Sequence, residues 1–457
     1  MNYMIPRPRR WAAWLAAVFL LGCAEHAPTD PSADLALRQA KGSGGGGGGP
    51  SVKTTSPRSA PRGTTLNVRV LGSGYVQGSR AVWALNGDTT FANTKVRTNS
   101  TTFVSSTELS ASITIETDAA VDLYDVVVIT PTGKKGIGIE LFEVIVEIVD
   151  LGAGAGSTAV AVNNNGQIVG RGGPGSGAFL WDNGTLRDLG ATPGRTSSAA
   201  SDINDAGQVV GSTSGPGVPA RAFLWTAAAG MQLLPGTLGG TQSEAQGINE
   251  NGDVIGSSTL PGDTIQHAVM WRNGVIIDLQ ATNFPTGKSY AWDLNDAGEV
   301  VGTYYGGGGR SFRWTATGGM EFIAPSNDVG GNEALGINNI GELVGWKQPA
   351  AGQQNTAYLW NAGVFQNLGT LGGKSSVSMA LNEHGTVVGR AETAVRRQGL
   401  FLQAAFIWTS AGGMKSLGVP SGSDHGQAWD INELYWVVGE TWGANGGGSR
   451  ATLWKVQ

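Results

Sequence analysis

A nine-residue phrase that returns seven times constrains this chain more than any other feature. Its clearest copy reads Ile203-Asn204-Asp205-Ala206-Gly207-Gln208-Val209-Val210-Gly211. The pattern is an aliphatic residue, Asn, two residues, Gly, one residue, two mostly aliphatic residues and Gly. The other copies place their Asn at 163, 249, 295, 338, 382 and 432, so the steps are 41, 45, 46, 43, 44 and 50 residues. A tryptophan keeps the same time at 181, 225, 271, 314, 360, 408 and 454. A period of this length means repeated supersecondary units that bury their faces only by packing on one another.

Each unit holds four β-like pieces. In the third, Ser243 to Ile248 is a strand, Asn249-Glu250-Asn251-Gly252 a turn, and Asp253 to Ser257 a second strand. His267 to Trp271 is a third, and Asn273-Gly274 turns the chain into Val275 to Leu279. Asn in the first turn suits an Asx-turn, and Gly three residues on supplies positive φ. Four strands per unit of about 45 residues is the period of a propeller blade. The predicted fold is all-β, with a seven-bladed β-propeller over 147–457. The chain stops just after the third strand of unit seven. Ile148-Val149-Asp150-Leu151-Gly152 matches the fourth strand Thr185-Leu186-Arg187-Asp188-Leu189-Gly190. The N-terminal strand 148–152 is therefore expected to pair with the C-terminal blade and remove two open sheet edges. Four residues before each Asn lies a small residue (Ala159, Ala200, Ala245, Ala291, Ala334, Ser378, Ala428) and one residue before it an aliphatic. Strict alternation puts these two positions on opposite faces.

The N-terminal part differs. Arg7, Arg9 and Arg10 precede an apolar run, Trp11 to Leu21, too short to span a bilayer comfortably. Such an order is an export signal. Its ending, Leu20-Leu21-Gly22-Cys23, resembles the bacterial lipobox, and the chain's single cysteine falls where lipidation needs it. The resemblance implies a signal peptide over 1–22 and a lipid on Cys23 that holds the protein to a membrane. The absence of Asp just after Cys23 resembles outer-membrane sorting. Residues 23–62, rich in Pro, Ser, Thr and Gly, read as a flexible tether. Over 63–146 short alternating strands read as a β-sandwich, with Trp83 packed inside. The stretches Gly63 to Tyr75 and Tyr124 to Gly133 resemble the IPT/TIG immunoglobulin-like family, for which spacer is favoured over protein-contact module.

The repeats themselves resemble the bacterial HAF-type extracellular repeats, on Gly236-Thr-Leu-Gly-Gly240, Leu368-Gly-Thr-Leu-Gly-Gly373, the Ile-Asn-x-x-Gly-x-Val-Val-Gly phrase, His267-Ala268 and Ala222-Phe223-Leu224-Trp225. That family implies no general activity. Only unit three keeps the His before the Ala.

Chemistry is sparse. A net charge of −5 argues against a nucleic-acid surface. One cysteine excludes a disulfide framework or zinc-thiolate site. His26, His267, His384 and His425 do not cluster in sequence. The acidic residues after the repeated Asn (Asp205, Glu250, Asp296, Glu383, Glu433) are read as solvated turn residues, with calcium as the alternative; no other cofactor is implied. Thr286-Gly287-Lys288-Ser289 lacks the leading Gly of a phosphate loop. Asp424-His425-Gly426-Gln427-Ala428-Trp429 is a partial sialidase-type Asp box and occurs once. Function is expected where the units differ. Three residues before the Asn the series is Val160, Ser201, Gln246, Trp292, Leu335, Met379 and Trp429. Just after the second Gly it is Arg171, Ser212, Ser257, Thr303, Trp346, Arg390 and Glu440. With Tyr304, Tyr305, Tyr435, Trp436 and Trp442, these aromatics form either a ligand face or blade packing. The candidate ligand residues are Trp292, Trp346, Trp429, Tyr304, Tyr305, Trp442, Arg171 and Arg390. The expectation is an exported, lipid-anchored, monomeric envelope protein that binds a glycan or a surface protein without catalysis. The alternative is a polysaccharide lyase or hydrolase at one propeller mouth. A convergent cluster of carboxylates, Arg and His or Tyr there would favour the enzyme, and an aromatic or polar face without one the binder.

Overall fold

The computed structural model describes residues 49–456 except 87, 89–94, 118, 121, 173–176, 281–285, 307–308, 324–330, 349–352, 398, 421 and 444–447. The export signal, Cys23 and His26 lie outside the described residues. Every regular element among these residues is a β-strand, and the strands form nine four-stranded sheets. The chain divides near residue 147 into two compact units.

The first unit holds two sheets. One runs in the order Ser51–Ser56, Thr65–Ser73, Glu108–Ile115, Val96–Ser105; the other Ser59–Pro61, Lys135–Ile145, Leu123–Ile129, Arg80–Leu85. Alternating residues of both sheets, among them Val68, Val70, Leu109, Ala111, Ile113, Val126 and Val128, share one core. Trp83 is buried in it, with its ring edge-to-face to Phe142 at 6.0 Å. Residues 51–56 and 59–61, placed in the tether by composition, are instead paired strands of these sheets. Ser51–Ser56 pairs antiparallel with Thr65–Ser73, and Ser59–Pro61 pairs parallel with Lys135–Ile145. Both are edge strands, and backbone pairing at an edge tolerates the Ser, Thr and Pro content that suggested a spacer.

The second unit holds the other seven sheets. Six are built from four consecutive strands each, joined antiparallel in chain order. The seventh has the order His425–Ile431, Trp436–Trp442, Arg450–Lys455 and then Glu147–Asp150. Leu151 N–H donates to the Ala451 carbonyl at 3.0 Å, and Arg450 reaches Asp150 at 3.2 Å. The first strands of successive repeats touch in cyclic order, the first strand of unit seven meeting Thr158–Val162 of unit one. The marker tryptophans pack between sheets. Trp271 and Trp454 donate indole N–H to the carbonyls of Pro235 and Gly418.

The repeated phrase is a turn with an added device. The Asn163 Oδ1 accepts the N–H groups of Asn165 and Gln167, an Asx-turn, and Gly166 follows at φ 76°. The other units repeat it with a positive-φ Gly, except unit seven, where Tyr435 takes that place at φ 57°. Each first strand also carries a one-residue β-bulge, at Val160, Ser201, Gln246, Trp292, Leu335, Met379 and Trp429. The bulge explains the second Gly of the phrase. A Cβ on Gly256 would lie 1.9 Å from the Glu244 carbonyl oxygen, and the six equivalent glycines meet the same obstruction at 1.8–2.1 Å. The bulge also overturns the face assignment made from alternation. Ala200 and Ile203 lie in one cluster with Val169 and Ala178 of the preceding unit, as do Ala245 and Ile248 with Val210 and Ala222. An extra residue between the two positions returns both to the same face.

Candidate functional site

The first strands end at the repeated Asn, so the cyclic array has an Asn end and an opposite end. At the Asn end two hydrogen-bond cycles run round the array. In the inner one each Asn Nδ2 donates to the main-chain carbonyl of the next repeated Asn: 163 to 204, 204 to 249, 249 to 295, 295 to 338, 338 to 382, 382 to 432 and 432 to 163. In the outer one the N–H after each Asn donates to the side chain at the same position of the next unit. Asp205, Glu250, Asp296, Glu383 and Glu433 are five of its seven acceptors, Asn164 and Asn339 the others. The acids read as solvated turn residues are therefore inter-unit staples. Burial pushes the Glu250 and Glu383 carboxyls up, and neighbouring carboxylates add to that. A carboxylate whose oxygens accept backbone N–H groups has less to offer a cation, and no group of three or more His, Cys, Asp or Glu is arranged for a metal ion among the described residues. A cavity of about 350 Å³ opens beside this end, between units five and six, with Ile340, Val364, Glu383 and His384 in its lining.

At the opposite end the variable positions converge. Trp292, Leu335, Met379 and Trp429, all bulge residues, form a buried cluster with Val377, against which Tyr290 and Trp346 pack. The bulge gives each of these side chains a bearing that a regular strand would deny it. Trp292 donates its indole N–H to Thr303 Oγ1 at 2.8 Å and stacks on Tyr290 with centroids 5.6 Å apart. Tyr305 stands edge-on to Tyr290 and donates its hydroxyl to Glu333 at 2.5 Å, and Trp346 donates to the other oxygen of Glu333 at 3.1 Å. Burial pushes the Tyr290 and Tyr305 hydroxyls up, Tyr305 further because the Glu333 carboxylate adjoins it.

The remaining sector, from units six, seven and one, is charged. Arg390 donates to Gln427 Oε1 at 3.3 Å, and Thr158 donates to Glu440 Oε2 at 2.9 Å. Burial pushes both the Arg171 and the Arg390 guanidinium below its ordinary value, and the Glu440 carboxylate offsets part of this in each.

Of the candidate ligand residues, Trp292, Trp346, Trp429, Tyr305, Arg171 and Arg390 thus fall at this end. Two do not join them. Tyr304 points the other way along its strand, packs on Phe322 and donates to the Thr286 carbonyl. Trp442 stacks on His425 at 5.3 Å, in a contact separate from the cluster. Trp292 and Trp429 are 4% and 0% exposed, so they fill the interior of this cluster and offer no open stacking face. Tyr290, Glu333 and Gln427 are residues that the sequence reading passed over. They share one repeat position, five before the Asn and paired across the strands with the residue after the second Gly. That pairing is the signal that could have found them. The histidines stay apart: His267 Nδ1 is 2.9 Å from Asp278, His384 stacks on Tyr435, and His425 accepts the Gln403 N–H.

No protein-family model matches the sequence, and no curated protein does. Among solved structures, TolB from Acinetobacter baumannii aligns at 14% identity and TM-score 0.34, over 53% of this chain and 58% of its own. TolB from Agrobacterium tumefaciens aligns at 13% identity and TM-score 0.34, over 66% and 90%. A puromycin-hydrolyzing peptidase from Mycobacterium tuberculosis aligns at 11% identity and TM-score 0.41, over 76% and 57%. The chain thus spans a little over half the length of the first TolB and of the peptidase. The resemblance is to propeller-like all-β architecture and carries nothing about activity.

Proposed function

We propose that this chain is a lipid-anchored envelope protein that binds a glycan or a surface protein. Lipidated Cys23 would hold it to the membrane, the Gly-rich tether would give it reach, and the IPT/TIG-like sandwich would act as a spacer. The seven sheets would form a seven-bladed HAF-type β-propeller, latched by the 148–152 segment and presenting its ligand face at one mouth. The latch is supported by the place of Glu147–Asp150 beside Arg450–Lys455. The reading is of a monomer facing the exterior or the periplasm.

The observation that carries the binding role is the convergence at the end opposite the Asn cycles. Units that agree elsewhere differ there, with Arg171, Arg390 and Glu440 on one side and Glu333, Tyr305 and Trp346 on the other. The same convergence suits a polysaccharide lyase or hydrolase, which is the second reading. Binding is the better supported because the acids and bases on the aromatic side, Glu333, Tyr290 and Tyr305, are unsuited to proton abstraction. Both Glu333 oxygens accept hydrogen bonds, and the raised hydroxyls of Tyr290 and Tyr305 stay protonated at neutral pH. A general base needs a free lone pair near its working pH.

The test is a glycan array and a degradation assay run on the same full-length preparation in detergent, with intact bacteria as a source of surface proteins. Saturable binding with no change in the ligand supports the proposal. Catalytic turnover transfers support to the enzyme reading, and absence of binding to glycans and to cell surfaces sinks both.

A further inference from the structure

Two guanidinium groups at the variable end share one carboxylate. Arg171 of unit one is the cross-strand partner of Thr158, which donates to Glu440 of unit seven; Glu440 is the cross-strand partner of Gln427, which accepts from Arg390 of unit six. Glu440 favours the charged form of both guanidinium groups. Burial disfavours each cation, and one Glu440 charge cannot balance two of them. The local sum is one unmatched positive charge. Among the described residues the Arg171 side chain makes no hydrogen bond.

A second observation points to a missing acceptor. Gln427 is 2% exposed, and its Oε1 accepts from Arg390. That contact assigns the acceptor end of the amide, and Nε2, with its two N–H groups, has no partner among the described residues. A buried donor without an acceptor is costly, so such groups point to water or to a ligand. Gln246, on the bulge of unit three and also 2% exposed, leaves its Oε1 unpartnered.

We propose that this end binds the carboxylate of an acidic sugar, a uronic acid within a glycan, through Arg171, Arg390 and the Nε2 of Gln427. The inference rests on the glycan-binding reading and narrows it. One unmatched positive charge suits a monoanion. A phosphate monoester would bring a second charge against Glu440, and a planar carboxylate, unlike a tetrahedral sulfate ester, matches the planar fork of a guanidinium. Glu440 in turn can accept from a sugar hydroxyl next to the carboxylate, as it accepts from Thr158. The partly buried faces of Tyr290 and Trp346 lie farther round the same end and would flank an adjoining ring.

Calorimetry on the full chain in detergent tests this with oligogalacturonate, its neutral methyl ester, neutral oligoglucose and acetate. The expected result is binding of oligogalacturonate at least tenfold tighter than of the methyl ester, weakened at least tenfold in Arg171→Gln and in Arg390→Lys, with acetate competing weakly. If Arg390→Lys fails to fold, Arg171→Gln carries the test, since that side chain holds no hydrogen bond in the fold. Equal binding of acid and ester, or binding undiminished in Arg171→Gln, overturns the acidic-sugar inference and leaves glycan binding intact. Binding of neutral oligoglucose alone does the same. Failure of every glycan overturns both.

Discussion

Asn432 donates its side-chain N–H to the main-chain carbonyl of Asn163, 2.8 Å away and 269 residues earlier in the chain. The same side chain accepts the N–H groups of Leu434 and Trp436. One amide therefore builds its own turn and ties the last unit to the first. Asn432→Ala leaves the two N–H groups and the buried carbonyl without these partners. Unsatisfied buried groups cost about 1–3 kcal/mol each, with partial rescue by water, so a loss of about 3 kcal/mol in urea unfolding is expected. Asn432→Asp separates the two roles, because it keeps the acceptor and turns the donor into a carboxylate facing a carbonyl. If Asn432→Asp matches the wild type at neutral pH, the link between units contributes nothing.

Two glycines of the third repeat do different work, Gly256 at the end of the phrase and Gly274 in the later Asn273-Gly274 turn, and substitution should expose it. Gly256 is closed by the Glu244 carbonyl oxygen 1.9 Å from a Cβ, so Gly256→Ala has to push backbone apart at the bulge. Gly274, at φ 77° with nothing within 4 Å of its Cβ, meets only its own conformational cost. Gly274→Ala should lose about 1–2 kcal/mol. Gly256→Ala should lose more than about 3 kcal/mol or fail to fold. Thermal unfolding of the two variants decides it, and equal losses would mean that the bulge relaxes freely.

How much of this was legible in the sequence follows the same division. The turn Asn, the positive-φ Gly and the four-strand count are local, and local chemistry announces them. In the third repeat the sequence reading of Ser243 to Ile248 coincides with the observed strand. The bulge was not legible, because period-2 counting assumes that none exists, and so Ala245 and Ile248 were assigned to opposite faces. The strands at 51–61 were hidden because edge pairing depends on backbone and hardly on side chains. At the candidate site, variability picked out Arg171, Arg390 and Trp346, but it could not separate Tyr305 from Tyr304. Only the strand pairing shows that Tyr305 reaches Glu333 in the next unit while Tyr304 turns to Phe322.

Tyr435 occupies the left-handed turn position that glycine holds in the other six repeats. A side chain there costs about 1–2 kcal/mol. Its ring stacks on His384 of the preceding unit, with centroids 5.8 Å apart and planes within 7°. The two effects separate by comparing Tyr435→Gly with Tyr435→Ala, which both lose the ring while only the second keeps the strain. Tyr435→Gly should be the more stable of the pair by about 1 kcal/mol in urea unfolding. Parity between them would mean that the turn opens to relieve the backbone.

The outer hydrogen-bond cycle should make stability depend on pH with an unusual sign for carboxylates. Burial raises Glu250 and Glu383, with repulsion from Asp205 and Asp296 on the first and from Glu433, Asp296 and Glu342 on the second; accepted backbone N–H groups offset part of it. A carboxyl raised in the fold holds its proton more firmly folded than unfolded. Folding then takes up protons in the interval just above the ordinary Glu value, so stability falls as pH rises through that interval and levels off beyond it. Glu250→Gln and Glu383→Gln keep an oxygen for the N–H of the neighbouring unit and remove the charge. Relative to wild type, the double variant should gain stability at pH 7.5 and gain less at pH 4.5. Both carboxylates are more than a third exposed, so the gain should stay within about 1 kcal/mol. Urea unfolding at the two pH values measures it. A double variant that loses more stability at pH 7.5 than at pH 4.5 would show that the carboxylates act mainly as charged acceptors for the backbone.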